Sequence, residues 1–283
     1  MRGMKKKTIN QIIVKKVDKW LATIKDNDLR QECSTNVVVT GGCIASMLLG
    51  EEVNDYDIYF TKFETACKVA DYYLADFLAE RTADHYDMTT QKMKDTLGRD
   101  RVRIVIKSAG VVGNQEAMGE STEEVRPSKP DYAPIFLSSN AITLKGGVQL
   151  ILRFFGGPEA IHENFDFIHC MNYWTPKEGV VLNPDAMEAL LSKTLVYRGS
   201  LYPVCSVFRS KKFIERGWNI NAGQYLKMIL QINELDLKDF EILEEQLTGV
   251  DVAYFTEILN KAKSKNPLTV ETAYLIEIIN RMF

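Results

Sequence analysis

The stretch that most constrains this chain runs from Val37 to Phe60. It holds an apolar run (Val37-Val38-Val39-Thr40), the pair Gly41-Gly42, a short amphipathic segment closing on Leu48-Leu49-Gly50, and then Asn54-Asp55-Tyr56-Asp57-Ile58-Tyr59-Phe60. The apolar run predicts a strand over 36–40, the next residues a helix over 43–49, and the alternation that follows a strand over 55–60. Residues two apart in a strand share a face. Asp55 and Asp57 are therefore expected to project together while Tyr56 and Ile58 face the other way. Adjacent carboxylates repel unless a cation lies between them, and hard oxygen donors suit Mg²⁺, whose usual co-ligands are phosphate oxygens. A glycine pair at a helix start lets backbone N–H groups come close to an anion. The unit is directed at metal and phosphate.

The flanks predict what this unit is built into. Ile9, Ile12, Ile13, Val17, Trp20, Leu21 and Ile24 recur at helical spacing, giving a helix over 8–25 that Asp26-Asn27-Asp28 breaks. A second amphipathic helix is expected over 65–80 and a strand over 101–107. Residues 108–134 include Pro127, Pro130 and Pro134 with little periodicity, so they read as a long loop or insertion. Runs at 140–144 and 148–154 flank Lys145-Gly146-Gly147, a hairpin signal. Helix signals open at Pro158-Glu159, and helices are expected over 185–193, 203–216, 222–233, 236–247, 251–263 and 269–282. The expected class is an α/β (α+β) head with a mixed sheet, followed by an all-helical neck and body. In domain terms this gives an N-terminal helix at 1–34, a head at 35–190 with the insertion at 108–134, and a helical part at 191–283.

Composition narrows the function classes. The 283 residues are 46% hydrophobic and 26% charged, ordinary for a globular protein with a sizeable core. A net charge of −3 argues against a surface coated in positive potential and leaves room only for a local basic groove. The five cysteines are scattered without a Cys-x-x-Cys pair, and no signal-peptide pattern opens the chain, so a reduced, cytoplasmic setting is expected. No apolar run reaches the length of a membrane span, so no membrane partner is expected. The oligomeric state is left open. His85, His162 and His169 lack metal-like spacing with cysteines, and Trp20, Trp174 and Trp218 sit among apolar neighbours as expected core residues.

Taken together, Gly41-Gly42, the helix closing on Leu48-Leu49-Gly50, and Asp55-x-Asp57 resemble the polymerase-β-like nucleotidyltransferase superfamily. Within it they are similar to the class II CCA-adding enzymes and bacterial poly(A) polymerases, which read Gly-Gly-x-Val-Arg-Asp-x-Leu-Leu-Gly before an Asp-x-Asp. The match runs from Gly41 to Asp57 without a gap, with Ala45-Ser46 where that family has Arg-Asp. Val148-Gln149-Leu150-Ile151-Leu152-Arg153 resembles the family strand that carries a glutamate followed by an arginine, with Gln149 at the acid's place. Asn164 to Met171 resembles its Arg-Arg-Asp-Phe segment, keeping Asp166-Phe167 without the two arginines. Pro203 to Trp218 resembles its arginine-rich helix, and Arg209, Lys212 and Arg216 share one helix face.

This resemblance covers Thr35 to about Ile220 and implies a nucleotidyltransferase head. The implied reaction transfers NMP from an NTP to a hydroxyl, an RNA 3′ end such as that of tRNA, with Mg²⁺ (or Mn²⁺). Asp55 and Asp57 are the implied metal ligands and, with Asp166, the implied catalytic acids. Gly41, Gly42, Ser46, Arg153, Arg209 and Lys212 are the implied nucleotide-binding residues. With Gln149 neutral, either Asp166 supplies the third acid or the second metal is weakly held. The Glu-Asp-x-x-Arg element that selects CTP and ATP in the family is not recognisable, so nucleotide choice stays open. Transfer to a protein or small molecule, and a non-catalytic nucleotide- or partner-binding module, are the alternatives.

Overall fold

The computed structural model describes residues 3–79, 88–94, 98–106, 130–237 and 239–247. The expected helices at 251–263 and 269–282, residues 108–129 of the expected insertion, and His85 lie outside them. The described residues fall into two compact units, one within Met1–His162 and Asn172–Leu182, the other within Glu163–Met171 and Asn183–Phe283. Residues 3–34, where one N-terminal helix was expected, lie within the first unit.

At the centre of the first unit is β1 (Val37–Thr40), buried at all four positions. That burial on both faces is why its sequence is a continuous apolar run rather than an alternation. It pairs antiparallel with β2 (Tyr56–Phe60) on one side and with β8 (Tyr173–Thr175) on the other. Next to β2 lies β7 (Val148–Phe155), which runs parallel to it. With β5 (Pro134–Leu137), β6 (Ala141–Leu144) and β9 (Gly179–Val181) the sheet has the order β5–β6–β7–β2–β1–β8–β9. One parallel pairing among antiparallel ones makes it the mixed sheet that was expected. Lys145-Gly146-Gly147 does turn β6 into β7. Gly147 has φ 71°, and a Cβ there would lie 2.9 Å from the Asn54 carbonyl oxygen.

The two faces of this sheet differ. Val37, Val39, Ile58, Phe60, Ile142, Leu144, Val148, Leu150 and Leu152 join the main core, with the buried sides of α1 (Lys6–Leu21), α2 (Asn27–Thr35), α3 (Gly42–Leu49) and α4 (Phe63–Ala79). Helix α1 buries Ile9, Ile13, Val17, Trp20 and Leu21, each worth about 1.5–3 kcal/mol of transfer free energy when fully buried. Trp20 Nε1 also donates to the Tyr73 hydroxyl at 2.8 Å, which fixes α1 to α4.

Among the elements the sequence did not foretell, which include β5, β8 and β9, two are instructive. The helix expected over 8–25 is α1, and the break expected at Asp26-Asn27-Asp28 is followed by a helix that was not anticipated, α2, which Asp26 caps: its Oδ1 accepts from the Leu29 N–H at 3.0 Å. The tripeptide that signalled a break is the start of the next helix. A strand at Met88–Lys94 (β3) was not anticipated. It forms an antiparallel hairpin with β4 (Asp100–Ile106), and its Thr89, Gln91, Lys92 and Lys94 carry almost no apolar alternation to detect. The three tryptophans are buried, as expected.

Following α5 (Pro158–His162) of the first unit, helices dominate the second: α6 (Pro184–Ser192), α7 (Pro203–Glu215), α8 (Ala222–Ile232) and α9 (Phe240–Leu247). One short parallel pair, β10 (Thr194–Leu195) with β11 (Asn219–Ile220), accompanies them. Asn183 caps α6 by accepting from the Ala186 N–H at 3.1 Å, with Pro184 in the first turn. His169 is buried edge-on to Phe213 (ring centroids 4.7 Å apart) and against Trp218 (4.3 Å). Neither ring nitrogen has a hydrogen-bond partner among the described residues.

Burial lowers the His169 pKa from 6.5 to about 4, so the ring is neutral at pH 7. Between those values the unfolded chain binds the extra proton. This contribution to stability is therefore full above pH 6.5 and is lost as pH falls toward 4. Urea unfolding of the second unit should show a midpoint that drops between pH 7 and pH 4.5. His169→Phe, which keeps the aromatic contacts, should flatten that slope; an unchanged slope would contradict the assignment.

Candidate active site

The site is built where β1 ends and α3 begins. Gly41 has φ 97° and ψ −151°, a conformation that side-chain-bearing residues avoid. A Cβ on it would also lie 2.9 Å from Asp57 Oδ2. Glycine is therefore required twice, for the turn and for the carboxylate that folds over it. Gly42 opens α3, no side chain caps that helix, and the space where its Cβ would be is free of other atoms within 4 Å. The free N–H groups of a first helical turn favour an anion at such a place.

Register brings the polar side chains into one row. Asp57 lies opposite Thr40 of β1 and opposite Gln149 of β7; Gln149 in turn faces Thr143 of β6, and Thr40 faces Tyr173 of β8. Residues opposite each other in a ladder share a face, so Thr143, Gln149, Asp57, Thr40 and Tyr173 line the face away from the main core. Asp55 precedes β2 by one residue and is exposed, whereas Asp57 is half-buried. Desolvation first, and the charge of Asp55 second, push the Asp57 pKa from 3.8 up to about 7. Among the described residues the Asp57 carboxylate has no hydrogen bond or ion pair, and the Gln149 amide has no hydrogen bond. Partly desolvated polar groups without partners are costly, and here they stand side by side.

Behind this row the Thr40 hydroxyl donates to the Asn172 carbonyl at 2.9 Å and lies 2.8 Å from His162 Nε2. The His162 ring is 5.9 Å from that of Tyr173. Neither Thr40 nor His162 stood out in the sequence. They are 122 positions apart, and only the fold of β1 against α5 joins them.

The other candidates are distributed as follows. Ser46 and its neighbour Ala45 are buried in α3, so the positions that carry Arg-Asp in the resembling family are small and turned inward. Arg153 is buried in β7 within the stretch between Leu150 and Phe155 where the register to β2 shifts, with its guanidinium 5.7 Å from the Phe154 ring centre. Asp166, Arg209 and Lys212 belong to the second unit. There Arg209 Nη1 and Asp166 Oδ2 form an ion pair at 2.5 Å, while Lys212 on α7 and Arg216 just past its end are exposed.

The donor set fits one hard divalent cation. Among the described residues no group of three His, Cys, Asp or Glu side chains could hold a metal, but Mg²⁺ sites often use only one or two carboxylates and leave the rest to phosphate and water. Asp55 and Asp57 would hold the ion, with the Gln149 amide oxygen beside them. None of the five cysteines forms a disulfide. No described helix is long and apolar enough to cross a membrane.

Comparison with known proteins supplies a family. The chain is 22% identical over 232 residues to Gabija anti-defense 2 of Bacillus phage SPbetaL7, a match that takes in 81% of this chain and 45% of that protein. The chain thus spans less than half the length of that relative. Among solved structures it is similar to the Thermotoga maritima CCA-adding enzyme complexed with tRNA (16% identity, TM-score 0.40, 86% of this chain and 54% of the other). It is also similar to the Bacillus stearothermophilus CCA-adding enzyme in complex with CTP (11% identity, TM-score 0.39, 86% and 51%). The sequence model described as Gabija anti-defense 2 family protein matches residues 11–193, well over half of the chain. The chain belongs to the Gabija anti-defense 2 protein family.

Proposed function

We propose that this protein is a metal-dependent nucleotidyltransferase that moves NMP from an NTP to a hydroxyl acceptor and that this activity serves to counter Gabija defence. One observation carries the chemistry: the row that sets the Asp57 carboxylate, without a partner among the described residues, over Gly41, next to an uncapped helix start and beside Asp55. Asp55 and Asp57 hold Mg²⁺ or Mn²⁺. When bound, such an ion neutralises triphosphate charge and lowers the pKa of the attacking hydroxyl. The backbone of Gly41-Gly42 receives phosphate at the start of α3, with Ser46 one turn on. Arg153 adds positive charge in the same unit. On the second unit, Lys212, Arg216 and the Asp166-paired Arg209 form a basic face suited to the phosphates of a nucleotide or an RNA backbone.

The acceptor in this reading is an RNA 3′ hydroxyl, as the motif resemblance implies. A second reading, a hydroxyl on a protein of the defence system, is favoured by the name of the phage relative. Both rest on the same test. Purified protein is incubated with Mg²⁺ or Mn²⁺, each labelled NTP in turn, and either mixed RNA including tRNA or a lysate of defence-bearing cells. Asp55→Ala and Asp57→Ala run alongside. Label in a nuclease-sensitive product, lost in both variants while their circular dichroism is unchanged, is the expected result. Protease-sensitive label would select the protein acceptor. Full activity in both variants would sink the site. NTP protection against thermal unfolding with no transfer at all would mean a binding module.

A further inference from the structure

The resemblance that reads this site as a two-metal centre requires a third acid, and the strand that should carry it offers an amide. Gln149 is the direct partner of Asp57 across the parallel β2–β7 pairing. Its neighbours Val148 and Leu150 are fully buried in the main core, so alternation sends Gln149 to the face of Asp57. The amide is half-buried and has no hydrogen bond among the described residues. A half-buried amide normally finds a partner, and here the nearest groups in register are Asp57 and Thr143.

We propose that Gln149 is the neutral third ligand of the Asp55–Asp57 site and limits the nucleotide-free protein to one divalent cation. This rests on the metal-site reading above and adds the ion count and its cause. An amide oxygen is a hard donor that Mg²⁺ and Mn²⁺ accept, but it brings no charge. Two carboxylates balance one divalent ion. A second ion in the same place would stand as uncompensated positive charge beside the first, and Coulomb repulsion at such separations is large in a partly desolvated site. A second ion therefore has no place until an anionic triphosphate arrives.

The test uses the full chain without nucleotide, at pH 8 so that the carboxylates are ionised, and counts bound Mn²⁺ by electron paramagnetic resonance and calorimetry. One Mn²⁺ per chain is expected for the wild type and none for Asp57→Asn. Gln149→Glu should bind Mn²⁺ at least tenfold more tightly, or take up a second ion, and Gln149→Leu should bind severalfold more weakly. Gln149→Leu keeps the test valid if the added charge of Gln149→Glu prevents metal-free folding. Unchanged affinity and count in both Gln149 variants would overturn the proposal while leaving the carboxylate site standing. Two ions on the wild type would overturn it by showing that another acid completes the site. Undiminished Mn²⁺ binding by Asp57→Asn would instead remove the carboxylate site itself.

Discussion

Gly41→Ala should leave a folded but inactive protein. Two effects combine, and they act on different properties. The backbone at Gly41, with φ 97° and ψ −151°, suits glycine alone, and holding an alanine there costs roughly 1–3 kcal/mol. For a unit of this size that lowers the melting temperature by about 3–10 °C, at about 2–4 °C per kcal/mol. The second effect is steric. The new methyl would lie 2.9 Å from Asp57 Oδ2, and the carboxylate, as the free end of a side chain, can swing away. Stability therefore suffers little from the clash, but the carboxylate leaves the place where the proposed function would have it hold a cation. Transfer should fall by a factor of at least about 100, the size of loss that ångström-scale misplacement produces. Gly42→Ala is the control: nothing lies within 4 Å of its added Cβ, so its stability should stay near wild type. Thermal melts and nucleotide transfer on both variants check this. A Gly41→Ala enzyme with ordinary activity would show that Asp57 need not lie over the glycine turn.

The central motif was legible because each part has a local cause. A strand buried on both faces writes itself as Val37-Val38-Val39, a forbidden backbone angle writes itself as glycine, and a strand that is half-buried at its start, at Tyr56 and Asp57, shows there as apolar residues alternating with an aspartate. The same logic foresaw the β6–β7 hairpin. What the sequence left unreadable depends on partners far along the chain. Gln149 could be placed beside the acids only by analogy until the parallel β2–β7 register set it opposite Asp57. Thr40 and His162 are ordinary residues until α5 brings them within 2.8 Å. Asp166 and Arg209, read from sequence as separate candidates, prove to be each other's ion partners. Strand β3 escaped for another reason: polar residues on an exposed hairpin carry no hydrophobic period to detect.

Asp57→Asn should raise stability at pH 8 in metal-free buffer while abolishing transfer. The Asp57 pKa rises from 3.8 in the unfolded chain to about 7 in the fold, chiefly through desolvation and then through Asp55. The folded state therefore holds the proton more tightly. Below pH 4 both states are protonated and the residue costs nothing. As pH climbs through the window from 4 to 7 the unfolded chain ionises first, and folding is penalised increasingly. Above pH 7 the penalty is complete, at up to about 4 kcal/mol from about 1.4 kcal/mol per pKa unit. Asparagine has the same shape and never ionises, so the variant escapes it. A gain of up to about 8–16 °C in melting temperature is expected at pH 8, at about 2–4 °C per kcal/mol, shrinking toward zero at pH 4. Divalent cation should reverse the order: Mg²⁺ binds only the native, ionised wild type and stabilises it by mass action, whereas the variant should not respond. A wild type that melts above Asp57→Asn at pH 8 without metal would mean that the carboxylate already has a partner in the fold. A variant that responds to Mg²⁺ as the wild type does would place the cation elsewhere. The expected pattern, a fold weakened by the side chain its chemistry requires, is what a site built to receive a cation should show.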